Sequence, residues 1–80
     1  MPKFYFHLMD SVDQVLDPDG LHMPPEAIAG AALLQARDCI SADVRKGKLD
    51  LHYRIDVHDE SGALVHSLAF EDAVTISPPR

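Results

Sequence analysis

Leu51, Tyr53, Ile55 and Val57 alternate with His52, Arg54, Asp56 and His58. A period of two sends the first set to one side of a strand and the second set to the other. Asp59-Glu60-Ser61-Gly62 then supplies turn chemistry, and a second run carries Leu64, Leu68 and Phe70 at even spacing. The stretch predicts a β-hairpin with one apolar and one charged face. Burial chooses its register. A loop of two or four residues sets Ile55 opposite Leu68 and Tyr53 opposite Phe70, whereas a three-residue loop with a glycine bulge sets Ile55 against Ser67. The first arrangement buries more carbon and is the expected one. It also puts His66 beside Leu64 and Leu68, across from Val57.

The same alternation opens the chain. Phe4, Phe6 and Leu8 face one way and Tyr5, His7 and Met9 the other, which predicts a first strand over 3–9. Residues 10–13 read as a loop and 14–17 as a short second strand. Asp17-Pro18-Asp19-Gly20 is a turn: proline presets φ and glycine accepts a positive φ. Leu21-His22-Met23 reads as one more short extended piece.

From residue 27 to 45 the period lengthens. Ile28, Ala32, Leu33, Ala36, Cys39, Ile40 and Val44 fall on one stripe at helical spacing. Pro24-Pro25-Glu26 suits the first turn, where a missing N–H costs nothing and a negative charge is favoured. Arg45-Lys46-Gly47 suits the last. Gln35, Arg37, Asp38, Ser41 and Arg45 make the wet side. Gly30 interrupts the helix at a cost of about 1 kcal/mol against alanine. Leu34 points away from the stripe. The fold class expected is α+β, in the order ββαββ, with one helix packed on one face of a mainly antiparallel sheet of about four strands. Residues 1–76 form a single domain, and 77–80 a loose tail. The strand order stays open.

Size and charge narrow the function classes. Eighty residues with a single cysteine, Cys39, exclude an internal disulfide. A chain this short buries only roughly 60% of its unfolded surface, so self-association is the stabilising device expected. The net charge of −6 disfavours nucleic acid, whose affinity rests on basic contacts. Lys3, His7 and Asp10 break any apolar leader, and no stretch is long enough to span a membrane. A cytoplasmic setting is the expectation.

Chemistry is sparse. Five histidines stand at 7, 22, 52, 58 and 66. His52, Asp56 and His58 share a strand face, but an extended strand spreads positions 52 and 56 roughly 13 Å apart, too far to share an ion. No metal site and no cofactor are therefore expected. No serine sits in a nucleophile elbow, and Cys39 lies on the buried stripe as a small apolar filler. The four glycines are too scattered for a phosphate loop. Asp13, Asp17 and Asp19 lack the spacing of a calcium loop. No catalytic residue is assigned. The open sheet face offers Tyr5, His7 and His58 as candidate ligand-binding groups; Tyr5 and Met9 on that face, with Leu34 on the outer side of the helix, are the candidate interface residues.

Phe4-Tyr5-Phe6-His7-Leu8, Asp19-Gly20 ahead of a short strand, the Ala-rich helix ending Arg45-Lys46-Gly47, and Asp59-Glu60-Ser61-Gly62 followed by Leu68-Ala69-Phe70-Glu71-Asp72-Ala73 together resemble a family of short bacterial domains of unknown function. The resemblance spans almost the full chain and implies a fold without an assigned activity. Pro25 departs from it, standing where that family often carries an Asp able to cap the helix. A second likeness, to antitoxin domains of the HicB type, lies in the order strand, acid-glycine turn, strand, proline, helix. It implies a small basic toxin as partner, although those domains usually carry three strands before the helix and one after it. The function expected is a non-enzymatic protein-interaction module acting as a homodimer. The alternatives are an antitoxin-like partner and a small-ligand binding domain using the open sheet face.

Overall fold

The computed structural model describes residues 1–79. Five strands and one long helix follow the order β1 (Lys3–Met9), β2 (Gln14–Val15), β3 (Leu21–His22), α1 (Ile28–Arg45), β4 (Arg54–Asp59) and β5 (Leu64–Ala69). A 3-10 turn, Pro25–Ala27, leads into α1, and another, Phe70–Asp72, follows β5. β1 is central. β4 pairs antiparallel along one side of it, with Phe6 opposite Val57 and Leu8 opposite Ile55. β2 and β3 share its other side, β2 against Leu8 and Met9, β3 against Lys3 and Phe4. β5 completes the sheet beyond β4. The α+β class and the single helix hold; the strand count rises from four to five because Leu21–His22 pairs with β1.

One helix over an alanine stripe explains the core. Ile28, Ala32, Ala36 and Ile40 are buried, four residues apart, and Ala32 and Ala36 have no exposed surface. Small side chains there let α1 lie close to Ile55 and Val57, which are also fully covered. Phe4, Phe6 and Phe70 fill the space around them. The Cα extents of 46 × 26 × 18 Å are those of a thin two-layer body. The helix ends in a Schellman motif. The Lys48 N–H reaches the Asp43 carbonyl at 2.9 Å, and the Gly47 N–H reaches the Val44 carbonyl at 2.9 Å.

The hairpin reaches its expected register by an unexpected route. Ile55 stands opposite Leu68, but the turn is the three-residue kind: the Asp59 N–H bonds the Ala63 carbonyl, and Gly62 adopts φ +86°. Taken alone that turn would shift every partner by one. A bulge restores them. His58 faces Leu64 and Val57 faces His66, so Val65 is the extra residue. The expectation for Leu64 is corrected as a result. It stands opposite His58 on the open face, 57% exposed, while His66, Leu68 and Phe70 keep the core side.

Other corrections are local. The strand starts at Arg54, leaving Leu51 and Tyr53 outside it, although both still pack on the core and the Phe70 N–H bonds the Tyr53 carbonyl. Val44 is exposed, at the end of α1. Arg37 is not simply wet: its Nε donates to the Ala73 carbonyl at 2.8 Å and ties α1 to the segment after β5. Ala73 is buried there and Val74 half-buried, whereas Ile76 is exposed. Of the expected tail, 77–79 is exposed coil, and position 80 lies outside the described residues.

Candidate functional site

Strand alternation and the β1–β4 register together build the open face. Tyr5 faces His58, His7 faces Asp56 and Met9 faces Arg54. Residues paired across an antiparallel ladder project to the same side, so these six make one surface away from α1. The Tyr5 and His7 rings are stacked, 13° between planes and 6.4 Å between centroids. The His58 ring tilts against His7 at 5.1 Å. Lys3 lies over the Tyr5 ring at 5.7 Å. A shallow groove of about 480 Å³ runs here, bounded by Tyr5, His7, Met9, Leu16, His58 and Glu60 among others.

The floor beside it is polar and closed. Asp56 is only 7% exposed, although it sits on the open face. Arg54 Nε donates to both of its carboxylate oxygens at 3.1 Å, and the Ser67 hydroxyl donates to one of them at 2.6 Å. Burying a carboxylate demands such partners. His58 is less well served: its Nδ1 is buried and meets no hydrogen-bond partner.

Asp17 organises the far rim, and sequence reasoning did not single it out beyond its turn. Its Oδ1 accepts from the backbone N–H groups of Asp19 (3.2 Å) and Gly20 (3.1 Å), an Asx turn. Its Oδ2 accepts the Phe6 N–H at 3.2 Å. β2 and β3 leave the middle of β1 without a partner strand, and this carboxylate takes the place of the missing ladder carbonyl. The Asp17 N–H in turn donates to His7 Nδ1 at 3.0 Å. Desolvation pushes the Asp17 carboxyl up. The amides of Gly20, Phe6 and Asp19 outweigh it, aided by His7, and the net position is below the ordinary carboxylate value. Gly20 fits beneath this turn with φ +68°; a Cβ there would lie 3.0 Å from the Phe4 carbonyl oxygen. The Asp-Pro-Asp-Gly run signals the turn, but nothing local signals contacts ten and eleven residues back.

The candidate ligand groups Tyr5, His7 and His58 thus stand together. The candidate interface residues do not. Tyr5 and Met9 are half-buried on the open face, whereas Leu34 is exposed on α1, which covers the other face. Among the described residues no group of three His, Cys, Asp or Glu converges as a metal cluster. His52 points its Nδ1 at Asp50 (2.9 Å), away from the strand it was expected to share with His58. Burial pushes the Cys39 thiol up, and Asp43 and Asp38 push it further, which suits a filler and not a nucleophile. No helix among the described residues is long and apolar enough to cross a membrane.

A second groove, of about 640 Å³, lies on the helix side of the sheet. Phe6, Leu8, Val15, Leu21, Gln35 and Cys39 contribute to it, and Leu16 borders both grooves. Val15 stands opposite Leu8 and Leu21 opposite Phe4, so both project toward the helix layer. Yet they are 61% and 58% exposed. The helix lies mainly over β4 and β5 and leaves them bare.

Comparison with curated proteins and with solved structures gives no match. A family model described as a domain of unknown function matches residues 3–71, which takes in all five strands and α1. The expectation of a family without assigned activity holds, and the chain belongs to the DUF6894 family of domains of unknown function.

Proposed function

We propose that this chain is a cytoplasmic protein-interaction module that works as a homodimer and carries no chemistry of its own. The observation supporting the reading is the bare apolar strip on the helix side of the sheet: Val15 and Leu21, with Leu16 at the rim and half-buried Leu8 and Cys39 behind. Core-directed residues left in water mark surfaces that another chain covers. Sedimentation equilibrium at micromolar concentration tests it. The expected mass is twice the 8.8 kDa of one chain, and Leu21→Lys returns it to one. A wild-type species of 8.8 kDa alone overturns the dimer.

A second reading has its own support. Tyr5, His7 and His58 gather beside one groove, and His58 keeps a polar atom without a partner. On this reading the open face takes a small polar ligand. Screening small carboxylates and phenols by amide shift changes tests it, with movements confined to Tyr5, His7 and His58 as the supporting result and no saturable change as the contrary one.

A further inference from the structure

We infer that His7 and Asp17 form an acid-opened latch that holds the connector between β2 and β3 against the middle of β1. The geometry fixes the proton. Asp17 N–H is a donor, so the His7 Nδ1 that receives it at 3.0 Å holds a lone pair. The neutral ring then carries its hydrogen on Nε2. Protonation adds a hydrogen at Nδ1 itself, which places two donors face to face. Proton uptake by His7 and a closed latch therefore exclude one another, and the latch opens when the ring is protonated.

The surroundings make this contact matter. On the edge away from β4, β1 has no strand partner between its pairings with β2 and β3, so Asp17 is the clamp there, through Phe6 N–H to Oδ2 and through its own N–H to His7. The titratable and charged groups around His7 are Tyr5 stacked on it from its own strand, Asp56 opposite it and His58 tilted against it from β4, Asp59 and Glu60 lining the same groove, and Asp17, whose N–H meets its Nδ1. Of the anions, Asp56 is held by Arg54 and Ser67, Asp17 by three amides, Asp59 by Ser61 and the Ala63 N–H, and Glu60 by the Lys3 N–H at 3.3 Å. His58, 5.1 Å away, adds repulsion when charged. Leu16, next to Asp17, borders both grooves. Release of the connector moves the wall they share.

Nuclear magnetic resonance on the full chain tests this directly. At about pH 8 the His7 ring should show an unprotonated Nδ1 and a protonated Nε2. Between about pH 8 and about pH 5.5 the protection of the Asp17 amide, corrected for intrinsic exchange, should fall about tenfold or more while Ile55 and Val57 amides keep theirs. Two variants separate the latch from general acid loosening. His7→Asn offers an oxygen near the Nδ1 position that does not titrate, so Asp17 stays protected at both pH values. His7→Phe offers no acceptor, so Asp17 is unprotected at both. A proton on Nδ1 at pH 8, constant Asp17 protection in the wild type, or full Asp17 protection in His7→Phe overturns the proposal.

Discussion

Asp17 shows how one side chain can stand in for a strand. Its carboxylate receives the N–H groups of Phe6, Asp19 and Gly20. Replacing it by alanine strands the Phe6 amide at the uncovered centre of β1 and removes the Asx turn. Asp17→Ala should cost about 1–2 kcal/mol by urea denaturation. The acid response has a definite sign. A carboxyl held below its unfolded value stabilises the fold above the unfolded pKa, and that contribution is lost as pH falls through the lower folded one. Asp17→Asn should therefore flatten the acid limb of the stability curve. Gly20→Ala should be harmful for a different reason, since φ is +68° and the new methyl meets the Phe4 carbonyl oxygen; a loss above about 1 kcal/mol is expected in the same assay. The turn was legible in Asp-Pro-Asp-Gly because its bonds span two and three residues. The clasp onto Phe6 and His7 was not, because it depends on how the strands are stacked and leaves no periodic trace.

The helix and the hairpin differ in how openly the chain spells them. Ile28, Ala32, Ala36 and Ile40 repeat every four residues, and all four are buried as their spacing required. Val44 continues the repeat but emerges into water at the last turn of α1. Periodicity carries no information on where the covering layer stops. Gly30 is the weak point of this helix, with open space around it and an ordinary helical backbone. Gly30→Ala should stabilise by about 1 kcal/mol and raise Tm by about 4–8 °C in a calorimetric scan. In the hairpin, alternation located the pairing of Ile55 with Leu68 but mistook its cause. The turn displaces the register by one and the Val65 bulge displaces it back. A pattern of apolar residues records only the sum, so the bulge and the outward Leu64 were hidden. The clustering of Tyr5, His7 and His58 needed the β1–β4 pairing, which the hairpins alone left undecided.

A sheet four strands across is roughly 15–20 Å wide, while a helix with its side chains covers about 10–12 Å. One helix therefore cannot shield the full apolar side. Centred on β4 and β5, it leaves Val15 and Leu21 in water. A domain of this length has a net stability of about 4–12 kcal/mol, so uncovered apolar area is a large omission on that scale. A second copy laid over the strip would supply what the helix does not reach, and mass action then gives a measurable signature. For a dimer saturated across the range, a hundredfold rise in protein concentration stabilises the folded state by about 2.7 kcal/mol per pair, or roughly 1.4 kcal/mol per chain. For a small domain that corresponds to a Tm increase of about 5–10 °C. Leu21→Lys should abolish the dependence, because a charge in the strip disfavours burial by a partner but costs a lone chain little at a position already 58% exposed. Scans at about 5 and 500 μM in which the wild type and Leu21→Lys melt alike would remove self-association as the reason the strip is bare.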